Sequence, residues 1–388
     1  MEPHQISAQT EHLLSAAGWA IQDHLEADPQ KSLGVAVRDF PLARTYGKID
    51  YLLFLEGKAA GLIELQDKDT RLTGVPLDRE KYSRGLPFTL HLFTRPLPFL
   101  YQSRGAQTCF TNAFDPTPTP RHLIGFHRPE TLRTWLEDGM VGETPRDMAA
   151  AYYPEHRRRG RSFQERIMIN MPNLSTDGLS PEQHKAITNV ETSLGENRGR
   201  ALIEMATGKE RAMLTIRLIE RLLKFADARR VLVLVHSAGI AQELQAAIQK
   251  HLASDADIPF AQTFPVQHLT GNKIMPQTRL CIASLPHLHG LLADQETPTS
   301  ETLLRYNAAF PIESFEVIIL DPCDPSLIPD FRETLAYFDA SLIGFMEKCT
   351  QETAVFFNQN LVMQYKDEKP KATTLSDGLN IISSETPR

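Results

Sequence analysis

Apolar residues follow two different rhythms along the chain. Over residues 5–27 they sit at helical spacing, with Leu13, Leu14, Ala17 and Trp19 on one side and Gly18 interrupting the pattern. Three strand-like runs follow at 35–42, 49–56 and 59–65. Glu56-Gly57-Lys58 separates the last two, which predicts a tight hairpin. Mixed α+β material continues with a helix over 78–85, short strand-like runs at 88–94 and 99–102, a loop punctuated by Gly105 and the proline-rich 115–120, and a helix over 129–138. Residues 139–180 show no single pattern.

From Ser180 onward strands alternate with helices. Ser180-Pro181-Glu182-Gln183 reads as a helix start, with Ser180 as N-cap and Gln183 three residues on, and it opens a helix over 181–194. Strand 200–205, helix 210–225, strand 231–235, helix 237–252, strands near 262–267, 279–283 and 316–321, a last strand at 340–345 and a helix over 350–357 complete the series. Val231-Leu232-Val233-Leu234-Val235 is apolar throughout, as suits a strand buried on both faces of a parallel sheet. This alternation predicts a doubly wound sheet, with ligands beyond the carboxyl ends of its strands, where Lys209 and Asp321 fall.

Length and charge narrow the picture. A chain of 388 residues is long enough for two domains, and 41% hydrophobic with 23% charged residues is ordinary globular composition. A net charge of −7 provides no general field for nucleic acid, so a DNA surface must be local. The candidate is Arg157, Arg158, Arg159 and Arg161, a run that reads equally as a solvated face or as paired by Glu155 and Glu165. Cys109, Cys281, Cys323 and Cys349 lack metal or disulfide spacing and read as reduced thiols. No apolar run or leader pattern suggests a membrane span or secretion, and the expected location is cytoplasmic.

Two places have the layout of chemistry. Asp50 opens one hairpin strand and Glu64 closes the other, so the carboxylates can converge at one end of a sheet. A metal-dependent nuclease needs such a pair to hold Mg²⁺ against a scissile phosphate. The position two residues after the Glu, on the same face, suits a lysine and is Gln66, with Lys68 beyond it. Strand-end charges in solvent would read the same way. The second place is Glu204-Met205-Ala206-Thr207-Gly208-Lys209, a strand running through a loop into a helix, as in a phosphate-binding loop. Glu210 stands where a metal-binding hydroxyl belongs, and no glycine lies several residues upstream, where such a loop begins. Asp321 ends an apolar strand, as does an acid that holds a nucleotide's Mg²⁺, or simply terminates the strand. The following Pro322 offers no second carboxylate.

Taken in order, Arg38-Asp39-Phe40-Pro41-Leu42, Gly47-Lys48-Ile49-Asp50-Tyr51-Leu52-Leu53, Gly61-Leu62-Ile63-Glu64, Phe126-His127-Arg128-Pro129-Glu130-Thr131-Leu132, Arg200 through Gly208, and Tyr337-Phe338-Asp339-Ala340 resemble the restriction (R) subunit of type I restriction-modification enzymes. The resemblance implies a PD-(D/E)xK nuclease-like α+β domain at 1–145, a linker at 146–180, a RecA-like first helicase lobe at 181–365 and a flexible tail at 366–388. It implies Mg²⁺ at Asp50 and Glu64, Gln66 in the lysine's place, and Tyr82 as the remnant of a Gln-x-x-x-Tyr element whose first position is Asp78. It further implies ATP near Gln183, Thr207, Gly208, Lys209 and Asp321, with duplex DNA and the methyltransferase and specificity subunits as partners. The motif that couples hydrolysis to movement is replaced by Met346-Glu347-Lys348-Cys349. The sequence leaves the series about where a first lobe ends, so translocation by this chain alone is not expected. The altered positions give the expectation of a truncated pseudoenzyme that binds DNA or restriction partners. The alternative is a weakly active metal-dependent endonuclease with a non-catalytic RecA-like scaffold.

Overall fold

The computed structural model describes residues 3–43, 45–67, 69–70, 72, 79–139, 162–176, 178–206, 208–251, 258–293 and 306–364. Two seven-stranded sheets carry the described chain. In the first, β1 (Ala20–Asp23), β2 (Gly34–Pro41), β3 (Lys48–Leu55), β4 (Lys58–Leu65), β5 (Phe99–Ser103), β6 (Thr108–Asn112) and β7 (Arg121–Leu123) lie side by side in chain order. The β1–β2 and β4–β5 pairs are parallel and the others antiparallel. The hairpin between β3 and β4 closes at Glu56 and Gly57, both with positive φ (48° and 78°), the primed turn whose twist matches paired strands. Helices α1 (Pro3–Ala16), α2 (Arg79–Gly85) and α3 (Pro129–Gly139) accompany this sheet.

The helix expected over 5–27 stops at Ala16. Gly18 turns the chain with φ 92°, and Ala20 to Asp23 pair in parallel with Val35 to Arg38. A strand gains ladder partners there that a longer helix would forgo. The run 88–94 forms no strand of its own and touches the sheet through a single bridge from Leu92 to Ala59. Strands β6 and β7 arise where the sequence shows only loop punctuation.

The second sheet is parallel throughout. Its order is β10 (Val266–His268), β11 (Leu280–Ser284), β9 (Val231–Val235), β12 (Val317–Leu320), β13 (Ser341–Met346), β8 (Arg200–Glu204), β14 (Leu361–Gln364). Every residue of β9, β11 and β12 is buried, which is why their sequences carry no polar alternation. Helices α4 (Phe163–Asn170), α5 (Pro181–Gly195), α6 (Lys209–Lys224), α7 (Ala238–Lys250), α8 (Phe260–Thr263), α9 (Leu285–Leu292), α10 (Ile328–Ala336) and α11 (Gln351–Phe356) flank or connect these strands. The run 168–174, unpatterned in sequence, includes the end of α4, and β14 follows the strand expected to be last. Strand β14 lies against β8 at the sheet edge.

The two sheets share a core. Phe99, Tyr101, Phe110, Phe126 and Trp135 beside the first sheet belong to the same buried cluster as Leu232, Leu320, Phe315, Tyr337 and Phe338 of the second. Polar groups fasten the seam. His127 Nε2 meets Asp339 Oδ2 at 3.0 Å, Arg121 Nε lies 2.9 Å from Asp339 Oδ1, and Arg121 also pairs with Asp115 at 2.9 Å. Glu313 accepts from Arg128 Nε at 2.7 Å and from Thr131 Oγ1 at 2.8 Å. Burial pushes the Asp339 carboxyl up, but the Arg121 charge and the His127 hydrogen bond outweigh it and hold the group below its ordinary value. A buried carboxylate with two such partners fixes one docking geometry, because any other leaves charge uncompensated.

Candidate functional site

The end of the first sheet away from the β3–β4 turn brings Asp50 and Glu64 together. Tyr51 pairs with Ile63 across β3 and β4, so one step further along this antiparallel register Asp50 faces Glu64. Directly opposed residues hold their Cβ atoms about 5 Å apart on one face. Both are half-buried. Asp50 Oδ2 accepts the Leu65 backbone N–H at 2.8 Å, and Gln66 Nε2 lies 3.4 Å from Glu64 Oε2. Gln66 therefore stays beside the acid as a neutral donor.

Lys48, two positions before Asp50 on β3, is a cation the sequence reading passed over. Its ammonium bonds Asp39, and that bond, offset by desolvation and aided by the Asp39 and Asp50 charges, raises its proton affinity. The signal lay in the i, i+2 spacing that puts Lys48 and Asp50 on one strand face. A cleft of about 300 Å³ opens here between α1 and the strand ends, lined by Ser7, Glu11, Arg38, Asp50 and Tyr51 among others. Arg38 is braced by Glu11 at 3.5 Å and Asp23 at 3.3 Å, and the Tyr51 hydroxyl meets Ser7 at 2.8 Å and Glu11 at 3.0 Å. Tyr82 is buried with Val37, Leu52 and Leu62. Leu52 and Leu62 share strand parity with Asp50 and Glu64, so Tyr82 packs on the same side of the sheet. Asp78 and Lys68 lie outside the described residues. Among those described, no three His, Cys, Asp or Glu side chains form a metal-binding group.

The second place lies at the carboxyl ends of β8 and β12. Gly208 precedes α6 with φ 145° and ψ −171°, a backbone state closed to most L residues although open space surrounds its Cα. Lys209 starts α6 and Thr207 lies outside the described residues. Gln183 is 5% exposed and both ends of its amide are in use. Oε1 accepts from the Ser180 N–H at 2.8 Å, completing a capping box, and Nε2 donates to the Glu210 carbonyl at 2.9 Å. It props the start of α6 rather than facing a ligand.

Asp321 is met by a cation from within the chain. Arg211, on the first turn of α6, places Nε 3.0 Å from Asp321 Oδ1, and Thr215 Oγ1 donates to Oδ2 at 3.1 Å. The Arg211 and Asp321 side chains are only 6% and 16% exposed. Burial pushes the Asp321 carboxyl up, with Arg211 and Thr215 opposing. Asp324, three residues beyond Asp321, supplies no second acid there: it accepts from Ser326 N and Oγ at 2.9 and 2.8 Å. The end of β13 and the residues after it are tied down as well: Met205 N donates to Met346 O at 2.7 Å and Cys349 N to Glu204 Oε2 at 3.0 Å. A nucleotide's Mg²⁺ does not fit this donor set. Both Asp321 oxygens have partners, one a buried guanidinium, and the loop hydroxyl is replaced by Glu210. The arginine run at 157–161 lies outside the described residues, so its proposed DNA contact has no geometry here.

Residues 177–345 match the family model described as type III restriction enzyme, res subunit. That span takes in the parallel sheet from α5 to β13 and is less than half of the chain. No curated protein matches. Among solved structures, a fragment described as an HsdR subunit of a type I restriction enzyme from Vibrio vulnificus YJ016 is 16% identical with TM-score 0.35. It is matched over 92% of this chain and 59% of its own, so the chain spans well under two thirds of that fragment. A hypothetical ATP-dependent RNA helicase from Sulfolobus tokodaii is 16% identical over 52% of this chain and 56% of its own, with TM-score 0.33. The Pyrococcus furiosus Hef helicase domain is 15% identical over 50% and 40%, with TM-score 0.31. At these scores the superpositions decide neither fold nor function. The segment matched to that family model coincides with the parallel α/β sheet between α5 and β13. No helix among the described residues is long and apolar enough to cross a membrane.

Proposed function

We propose that the chain is an R-subunit-like protein of a restriction system whose RecA-like unit is a non-hydrolysing scaffold, and that it binds DNA or the methyltransferase and specificity partners of such a system. The observation that carries this reading is the Arg211–Asp321–Thr215 closure. A nucleotide-bound Mg²⁺ needs the strand-end carboxylate. To obtain it here the ion must displace Arg211 and strand a buried guanidinium, at a cost of about 3–5 kcal/mol. That cost corresponds to roughly two to four decades of lost affinity. Arg211 therefore neutralises Asp321 permanently, Thr215 orients it, and Gln183 fixes the helix start that presents both. ATP turnover by the purified chain with Mg²⁺ and duplex DNA tests this. The expected result is none above a no-protein control, and DNA-stimulated turnover at about 1 s⁻¹ or faster, the ordinary enzymatic range, contradicts it.

A second reading rests on the opposed Asp50 and Glu64. In it the first sheet is a nuclease-like unit with Gln66 replacing the lysine and Lys48 or Arg38 supplying charge. The pair, which has no third ligand among the described residues, would hold a divalent ion that polarises a phosphodiester. Plasmid cleavage with Mg²⁺ or Mn²⁺, lost in Glu64→Ala, supports this reading. Cleavage that persists in that variant removes it.

A further inference from the structure

A groove of about 700 Å³ runs along the amino-terminal edge of the parallel sheet, opposite the Asp321 edge, where β7 of the first sheet meets the entries of β8 and β13. We propose that this groove binds the sugar-phosphate backbone of a nucleic acid. The proposal rests on the DNA-binding part of the reading above and assigns that binding a place.

The charge of the groove is unusual for a chain of net −7. Arg200, at the start of β8, stacks its guanidinium 4.3 Å over the Phe356 ring and donates to the Phe356 carbonyl. Among the described residues it has no carboxylate partner. Arg332, from α10, approaches the same ring at 5.9 Å, so two like charges flank one aromatic side chain. Arg332 borders an adjoining hollow of about 450 Å³, which Glu352 also lines.

The acids nearest the groove are already engaged. Glu196 pairs with Arg198 at 2.9 Å, while Asp339 and Asp115 are held by Arg121, with His127 also on Asp339. Burial and the Arg332 charge lower the proton affinity of Arg200; burial, Arg104 and Arg200 lower that of His122. Burial is the larger cause of both shifts, and the neighbouring cations act in the same direction. Neutral donors complete the lining. Asn358 and Gln359 are exposed at the rim, both with φ near +55° (54° and 56°), and their side-chain amides have no partner among the described residues.

A phosphodiester matches this inventory. Guanidinium groups pair with phosphate oxygens in a planar fork, and amides contribute neutral hydrogen bonds that position a backbone without reading sequence. Phe356 is 4% exposed and offers no face for a base to stack on, which favours the backbone over the bases as the recognised part.

The test is fluorescence anisotropy with a short labelled DNA duplex and the corresponding single strand, at several salt concentrations. The doubly reversed Arg198→Glu/Arg332→Glu chain, with one change lining the groove and the other beside it in the adjoining hollow, is compared with a control of equal charge change, Lys31→Glu/Lys250→Glu. Arg198 and Arg332 are exposed, so their loss leaves the core intact. Asn358→Asp/Gln359→Glu, which adds negative charge at the rim, serves as a second variant. Loss of about tenfold or more in affinity, and a log–log salt slope shallower by about 1 to 2, in both groove variants but not in the control, supports the site. Groove variants that bind like the parent overturn the site while leaving DNA binding intact. A parent that binds neither DNA overturns the DNA-binding reading as well. Displacement of DNA by millimolar inorganic phosphate as effectively as by unlabelled DNA assigns the groove to a free anion and overturns the nucleic-acid identity.

Discussion

Replacing Asp339 by Asn keeps the shape of the side chain at the seam between the sheets and removes its charge. In the parent this carboxylate is 8% exposed, with Arg121 at 2.9 Å and His127 at 3.0 Å. Breaking a buried pair by neutralising one member costs about 3–5 kcal/mol, and Arg121 keeps its contact with Asp115, so the lower end of about 3 kcal/mol applies. With an m-value of about 3 kcal/mol per molar urea, the unfolding midpoint should fall by about 1 M. Because one apolar cluster spans both sheets, fluorescence and circular dichroism should shift together. The pH dependence gives an independent check. The folded pKa of Asp339 is depressed, so its contribution is fully present above the unfolded value of 3.8 and is lost as pH falls through the folded value. The gap between parent and Asp339→Asn should therefore begin to narrow below 3.8 and close once the pH falls past the lower folded value, where the parent carboxyl is neutral too. An unchanged midpoint at neutral pH, or a gap that widens in acid, refutes this account of the seam.

Three further outcomes follow from packing and burial. A Cβ added at Gly61 would lie 2.5 Å from the Phe99 carbonyl oxygen on β5, so Gly61→Ala should destabilise by about 1–3 kcal/mol in denaturant melts, and a neutral result would refute the close approach of β4 to β5. Burial pushes the Cys281 and Cys323 thiols up to about 12, and Cys109 is also buried; Cys349 is the partly exposed one. Alkylation at neutral pH should label Cys349 first and the other three only after unfolding, as peptide mapping would show. Ser180→Ala removes the side-chain half of the capping box of α5 and should cost about 1 kcal/mol by urea midpoint; no change would mean that Gln183 holds the helix start unaided.

What the sequence reveals is governed by how local the cause is. The capping box at Ser180 and Gln183, the turn at Glu56-Gly57 and the β9 strand each depend on neighbours within a few residues, and each is visible in the pattern. Strands β6, β7 and β14 are short and lie at or near sheet edges. Their identity comes from partners such as β5 and β8, which are distant in sequence. Helix α4 is held by Arg166, which donates to the Ala226 carbonyl at 2.8 Å and pairs with Glu316 at 2.8 Å, contacts that no local pattern encodes.

The sites divide in the same way. The spacing of Asp50 and Glu64 about a hairpin turn puts them at the same end of the sheet, but the turn's own register would set Asp50 against Ile63; a one-residue bulge between Leu53 and Phe54 shifts the pairing and brings Glu64 opposite. Arg211 carries no local signal beside Lys209 and Glu210. Its significance depends on a carboxylate 110 positions later, Asp321, and on Thr215 one helical turn further along α6. The seam through His127, Arg121 and Asp339 is equally remote in sequence, and the groove beside it comes into being only when the two sheets dock.

The most direct measurement is a calorimetric titration of ATP into the chain with and without Mg²⁺, repeated with Arg211→Ala. The account predicts that Mg²⁺ leaves the parent's response to ATP unchanged, because Arg211 already occupies the coordinating face of Asp321. Removing the guanidinium should introduce magnesium dependence in the variant if that chain remains folded. Magnesium-dependent ATP binding by the parent, with an affinity tens of times higher than without the metal, would contradict the claim that the parallel-sheet unit carries its own cation in place of the nucleotide's.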